Sequence, residues 1–301
     1  MSLQTRYPTF DPAWKKHSTG GWYTIPCPVC GTPDAVTWNA RSLPGPAGRV
    51  PVCRECLPAQ RDTWSERVAV AVDQGPRMWN ADAAAWHANP GAKVAPVAFA
   101  LADGVGDDPE PQWIAQLAVL RVAVAACHEG SVAAIEDARR ARDEYYETVG
   151  APLSQRGDTV LAVVTPLERG YQAAWCGDVR VWAYTDGDLN QYTIDHTAET
   201  ELLEAGESPE MAAQYRNRVH RCLSIGDVES VFLGPDSDLI LLTSDGVHDA
   251  LTWAQMRQCM AEELSKGTGA AALRGAVQSL VRAARAAGGR DNATAMLIRT
   301  S

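Results

Sequence analysis

No run of this chain stays apolar long enough to suggest a membrane span: a rich stretch, Leu117 to Cys127, is broken by Arg121 and falls short of the ~20 residues a helix needs. The opening residues carry Lys15 and Lys16 but lack the apolar segment of a secretory signal, so none is expected. Positive charge is scarce too. Lysine and arginine number 27 against 37 acids, a formal net charge of -10, and no basic patch offsets it. Phosphate backbones and anionic lipid repel such a surface, so neither nucleic acid nor a membrane is an expected partner. The alternating acids of a calcium loop are missing, as is a Gly-Lys-Ser/Thr phosphate loop. The expectation is a cytoplasmic globular protein whose 301 residues suffice for one large domain with an appendage, or for two domains.

Cysteine is present but unevenly spread. Cys27-Pro-Val-Cys30 and Cys53-Arg-Glu-Cys56 form two Cys-x-x-Cys pairs, while Cys127, Cys176, Cys222 and Cys259 stand singly in apolar surroundings and read as small buried hydrophobes. Two such knuckles present four thiolates to one tetrahedral ion, the pattern of a structural Zn²⁺ site. A disulfide pair is the poorer reading in a reducing compartment, and a thioredoxin-type motif does not come in two copies. Residues 1–62 are thus expected to form a small zinc ribbon that depends on its metal to fold. It carries few basic residues and a Pro/Gly-rich loop from Ser42, which favours a docking or scaffolding role.

Residues 63–301 form the second unit. Val68, Val70 and Val72 alternate as in a strand, followed by a loop with Arg77 and Asp82. An apolar run from Val97 then ends on Asp103-Gly104-Val-Gly106. Asp-Gly is a common turn pair, and a strand ending in a turn is the plain reading. A strand delivering a carboxylate to a rim, with glycine bringing a carbonyl near, also suits a hard cation such as Mg²⁺ or Mn²⁺. Trp113, Leu117, Leu120, Val124 and Cys127 recur at helical spacing, as do Ile135, Ala138, Tyr145 and Val149. Strands are expected over 159–165, 171–176 and 179–184, with Gly177-Asp178 and Asp186-Gly187 as hairpin turns. From Asp195-His196 to Arg221 the chain reads as an exposed, mobile excursion. The strand–acid–glycine device returns at Asp238 to Asp249, two helices follow (253–264 and 270–287), and Asp291-Asn292 precedes a last strand over 294–299.

Asp103, Asp245 and Asp291 each sit where a strand meets a loop, and a folded sheet can gather them at one edge. Ionised together they repel unless divalent metal neutralises them. The ordered stations Gly75-Pro-Arg77 with Asn80-Ala-Asp82, Ala102-Asp103-Gly104-Val-Gly106, Gly157-Asp-Thr159, Gly177-Asp178-Val-Arg180, Asp195-His196, Ser244-Asp245-Gly246 with Asp249, and Asp291-Asn292 resemble the PP2C-type metal-dependent serine/threonine phosphatases of bacteria. The resemblance spans about Arg67 to Ser301. It implies an α+β fold, a four-layer αββα sandwich of two antiparallel sheets flanked by helices, with the ribbon appended.

It also implies a site of two Mn²⁺ or Mg²⁺ ions. Asp103 would bridge them with the Gly104 carbonyl on one, Asp245 and Asp291 would complete the first, Asp82 would hold metal-bound water, and Asp178 would add a third, weaker site. Arg77 matches the phosphate-binding arginine and residues 197–221 the flap. The implied reaction is in-line attack by a metal-bridging hydroxide on a phosphorylated protein substrate. The chain departs from the pattern at Ala81, where many members have a glutamate ligand of the second metal, at Val105, the place of a histidine acid, and at Val179, often serine. His196 reads as a structural hydrogen-bonder. A catalytically weakened adaptor, binding a phosphoprotein or regulator through ribbon and flap, is the rival to an active phosphatase.

Overall fold

The computed structural model describes residues 66–148 and 150–300 with Trp64, and before them the backbone of five short strands. Lys15–Lys16, Tyr23–Ile25 and Val36–Thr37 form one antiparallel sheet, and Ser42–Gly45 pairs with Gly48–Pro51, so the Pro/Gly-rich stretch holds a two-stranded ribbon where a loop was expected. Cys27, Cys30, Cys53 and Cys56 lie outside the described residues, and so does the zinc reading that rests on them.

Ten strands follow: β1 Val68–Asp73, β2 Asp82–Ala88, β3 Val97–Gly104, β4 Thr159–Pro166, β5 Tyr171–Cys176, β6 Arg180–Thr185, β7 Asp188–Gln191, β8 Glu229–Leu233, β9 Leu239–Thr243 and β10 Ala293–Arg299. They make two five-stranded antiparallel sheets, ordered β8-β5-β4-β3-β2 and β7-β6-β9-β10-β1. The helices are α1 Pro109–Glu129, α2 Ser131–Thr148, α3 Ala198–Glu204, α4 Pro209–Ala212, α5 Asp245–His248, α6 Trp253–Leu264 and α7 Ala270–Ala286.

Side-chain parity builds the layers, because successive residues of a strand face opposite ways. Phe99, Leu101, Val160 and Val164 of the first sheet meet Val181, Ile240, Leu242, Met296 and Ile298 of the second in a central core. Their neighbours Ala98, Ala100, Leu161 and Val163 turn outward onto α1 and α2, while Trp182, Leu241, Ala295 and Leu297 turn onto α6 and α7. The result is two antiparallel sheets flanked by helices, the αββα order.

Several local expectations are corrected. Gly177-Asp178 is not a hairpin turn, since β5 pairs with β4 and β8 while β6 pairs with β7 and β9. It is the crossover from one sheet to the other. Gly177 takes φ +97°, and a Cβ there would strike the Val160 side chain, so glycine is needed. Asp186-Gly187 does turn a hairpin, with both residues at positive φ. Strand β2 went unpredicted because Asp-Ala-Ala-Ala is helix-forming in isolation; in place, its small Ala83 and Ala85 pack in the layer formed with α1. The buried stripe of α2 runs through Ile135, Ala138, Arg142 and Tyr146, leaving Tyr145 only partly buried. The 195–221 excursion is tied down: Thr197 caps α3, His220 N donates to His196 O, and Ala212 is wholly buried. Among the described residues no helix is long and apolar enough to cross a membrane.

Candidate active site

Asp82 and Asp103 are direct cross-strand partners at the end of the first sheet. Like charges placed opposite destabilise a sheet, so this pair is costly unless something neutralises it. The end of the second sheet supplies Asp245 and Asp291, and the crossover supplies Asp178. Burial, then repulsion from Asp82, Asp245, Asp178 and Asp291, pushes the Asp103 carboxyl well above its usual range. Asp245 is pushed up likewise, by burial and then by Asp178 and Asp291. Burial takes Asp82 to about 6, against a hydrogen bond from Ser244, and takes Asp178 to about 7, with Asp195 adding to the rise. All five predicted acids are thus brought into one electrostatic neighbourhood.

Their scaffolding differs from the simple strand-to-turn picture. Gly104 is still in strand β3, and its glycine is required by the Pro111 carbonyl, which would lie 2.7 Å from a Cβ. Asp245 does not enter a loop: it opens the helical turn α5 behind Ser244, where a carboxylate suits the turn's free N–H groups. Gly246 is forced by the Asn292 carbonyl, 1.9 Å from where a Cβ would stand.

Arg77 lies in the loop before β2 and donates from Nη2 to Asp291 Oδ2 at 2.6 Å, both side chains being about one-third exposed (35 % and 37 %). Its loop is pinned by residues whose roles the sequence did not signal. Asn292 accepts from Ala81 N at 2.8 Å and donates to the carbonyls of Gln74 and Trp79 at 2.7 and 3.0 Å. Ser244 Oγ donates to Asp82 Oδ2 at 2.7 Å while accepting from Thr294 N at 2.9 Å, which joins the two sheets at the acids. Arg285 donates to Asp73 and to the Asp291 carbonyl. Only their place inside short motifs hinted at Ser244 and Asn292.

His196 is held as expected of a structural residue. Its Nδ1 accepts from Gly177 N at 3.0 Å, its own N–H donates to Gly177 O, and its ring stacks on Trp175. Burial and then Arg221 hold its pKa below the imidazole norm. It clamps the crossover that carries Asp178. Ala81, in the place of the absent glutamate, is buried and offers only its backbone to Asn292. Val105, in the place of the histidine acid, is half-exposed.

The donor set suits a hard cation: two buried oxygens, Asp82 Oδ1 and Asp245 Oδ1, have no hydrogen-bond partner, and they sit among like charges. As the side chains stand, no group of three or more His, Cys, Asp or Glu among the described residues is arranged to hold a metal ion. The acids are neighbours without closing on one point.

No family model matches the chain. A curated relative, the protein phosphatase PhpP of Streptococcus pneumoniae, is 26% identical over 215 residues, 66% of this chain and 83% of that protein. Among solved structures, the PPM Ser-Thr phosphatase MsPP from Mycobacterium smegmatis in complex with cacodylate matches at TM-score 0.60 and 26% identity, covering 77% of this chain and 97% of that one. The catalytic domain of serine threonine protein phosphatase PstP in complex with two manganese ions shares the fold at TM-score 0.62 and 20% identity, over 78% and 97% of the two chains.

Proposed function

We propose that this chain, a relative of the bacterial PP2C-type serine/threonine phosphatases, is a metal-dependent protein phosphatase that hydrolyses phosphoserine or phosphothreonine in protein substrates. The observation that carries the reading is the gathering of Asp82, Asp103, Asp178, Asp245 and Asp291 from both sheets at one end, with bare buried oxygens among them. Asp103, the Gly104 carbonyl, Asp245 and Asp291 are the ligands we assign to Mn²⁺ or Mg²⁺, with Asp82 holding metal-bound water and Asp178 completing a third, weaker position. Ions there supply positive charge for the phosphoryl oxygens and an acidified water.

The chain's own residues do the rest. Arg77 is exposed enough to exchange Asp291 for a substrate phosphate, which its planar fork can hold through two hydrogen bonds. Asn292 fixes the loop that carries Arg77, and Ser244 fixes Asp82. His196 holds Asp178 through the Gly177 backbone. We place the boundary between the two units near residue 62, the protein in the cytoplasm, and one structural Zn²⁺ on Cys27, Cys30, Cys53 and Cys56, supported by the doubled Cys-x-x-Cys spacing.

The test is hydrolysis of p-nitrophenyl phosphate and of a phosphothreonine peptide with Mn²⁺, against EDTA-treated protein. Turnover of both that EDTA abolishes supports the reading, and a folded, Mn²⁺-loaded sample that turns over neither overturns it in favour of an adaptor. Native mass spectrometry should separately find one Zn²⁺ that Mn²⁺ does not displace, since thiolates favour the softer ion. Finding none removes the zinc assignment.

A further inference from the structure

Away from the acids, a groove of about 340 Å³ lies along β7, α5 and α6, with Trp182, Leu189, His248, Trp253, Met256 and Arg180 on its walls. That volume falls in the ~300–1,000 Å³ range of small-molecule pockets. The polar groups lining it are arranged by a buried relay. Trp182 Nε1, a donor only, gives its hydrogen to Thr243 Oγ1 at 3.0 Å, and that hydroxyl lies 2.9 Å from His248 Nδ1. Thr243 is wholly buried, so its own hydrogen is satisfied by passing to Nδ1. Burial, with Arg180 adding to it, holds His248 well below the usual imidazole range, so the ring is neutral and its proton rests on Nε2.

His248 is only 6% exposed, and Nε2 has no hydrogen-bond partner among the described residues. Since Nδ1 is spent on the sheet interior, the free N–H belongs to the groove side. Trp253 is half-exposed but fixed, its indole N–H donating to the Leu189 carbonyl and the Arg257 guanidinium lying 5.6 Å from its ring centre. A held, solvent-facing indole beside an unspent ring donor is what a flat ligand needs.

We propose that this groove binds a small, flat, uncharged aromatic molecule with a carbonyl or ring-nitrogen acceptor, stacking on Trp253 and accepting a hydrogen bond from His248 Nε2. Charge on the ligand is disfavoured from both sides. Arg180 is already paired with Asp195 through Nε and Nη2 at 2.6–3.0 Å, and Arg257 with Asp188 through Nη1 at 2.9 Å, so the cations an anion would seek are already answered. A cation meets the donors of His248 and Arg180. The site is distinct from the acid rim and does not depend on the phosphatase reading. It nonetheless adjoins the rim through the chain, since α5 opens on Asp245 and Arg180 follows Asp178 by two residues.

The test is saturation-transfer NMR on the full chain with nicotinamide and indole-3-carboxamide as probes, and with benzoate and an extended alanine pentapeptide as controls. Both carboxamides should bind, benzoate and the peptide at least about tenfold more weakly, and Trp253→Ala should weaken the carboxamides by about tenfold, the scale of a lost aromatic contact. Because Trp253 is half-exposed, the variant should keep the wild-type circular dichroism spectrum and p-nitrophenyl phosphate turnover, separating loss of the site from loss of the fold. Carboxamides that do not bind, that bind Trp253→Ala equally well, or that bind no better than benzoate or the pentapeptide overturn the proposal.

Discussion

Asp103 and Asp245 are brought to the same rim by opposite means. Asp103 ends the first sheet still in extended conformation and faces Asp82 across the strand pair, a placement that sets charge against charge. Asp245 leaves the second sheet as the first residue of a helical turn, whose free N–H groups favour a carboxylate. Burial and crowding hold both carboxyls well above their usual range, so both ends stand to gain from a cation, but only the second sits at the start of a helical turn. Ser244 joins them, since it precedes Asp245 and bonds Asp82.

The largest expected effect tests that difference directly. Asp103→Asn and Asp245→Asn should each cut Mn²⁺-dependent turnover by about 10³-fold or more, the several kcal/mol a metal site supplies. Their metal-free stabilities should diverge. Asp103→Asn relieves repulsion from four acids and should raise the melting temperature in EDTA, whereas Asp245→Asn also gives up the charge favoured at the start of α5 and should raise it less. Equal shifts by scanning calorimetry would show that the two ends carry the same strain.

The two glycines sharpen the comparison on the steric side. A Cβ at 246 would stand 1.9 Å from a backbone oxygen and one at 104 would stand 2.7 Å from another. Neither carbonyl can rotate away as a flexible side chain would. Gly246→Ala should therefore cost about 3 kcal/mol and Gly104→Ala about 1–2 kcal/mol, within the usual span for overpacking. Urea denaturation that ranks them the other way would mean that the second sheet's end yields more easily.

These positions also show what could be read in the chain itself. Asp103 and Asp245 were legible because each ends a hydrophobic run, where a charge has few places to go, and Asp291 because it stands just before a strand; Asp82 and Asp178 rested on the family resemblance. The hairpin at Asp186-Gly187 was legible because its turn needs positive φ. The crossover at Gly177-Asp178 carries the same kind of turn dipeptide, and only the pairing of the flanking strands with different partners distinguishes it. Strand β2 was hidden because alanine favours helix until a neighbouring helix makes its small size useful. Asn292, Ser244 and the buried Arg142, which donates to the Gly157 carbonyl, act through contacts distant in sequence, and periodicity does not report those.

Ser244→Ala tests the link between the two ends at lower cost. It removes the bond to Asp82 Oδ2 and the acceptor for Thr294 N, about 1–3 kcal/mol for leaving buried partners unmet. The lost bond favours the charged form of Asp82, so the acid limb of the pH–rate profile should move to higher pH in the variant. An unmoved limb with a lowered melting temperature would confine Ser244 to a structural role.

The last test lies in the metal-free chain and concerns the connector, Asp178. Burial raises Asp82 from 3.8 to about 6 and Asp178 from 3.8 to about 7. Between those limits the folded chain binds more protons than the unfolded one, so this contribution to stability is present at the acid end and is lost as pH rises from about 4 through about 7. In EDTA, the melting temperature of the wild type should therefore fall across that window relative to Asp178→Asn, by up to about 8–16 °C, since a rise from 3.8 to about 7 corresponds to about 4 kcal/mol at about 2–4 °C per kcal/mol for a domain of this size. Mn²⁺ should flatten the wild-type curve, since a cation stabilises the ionised form that burial opposes. Parallel curves for wild type and Asp178→Asn would mean that Asp178 is already ionised in the empty rim, and that the crossover holds it in contact with water instead of among the other acids.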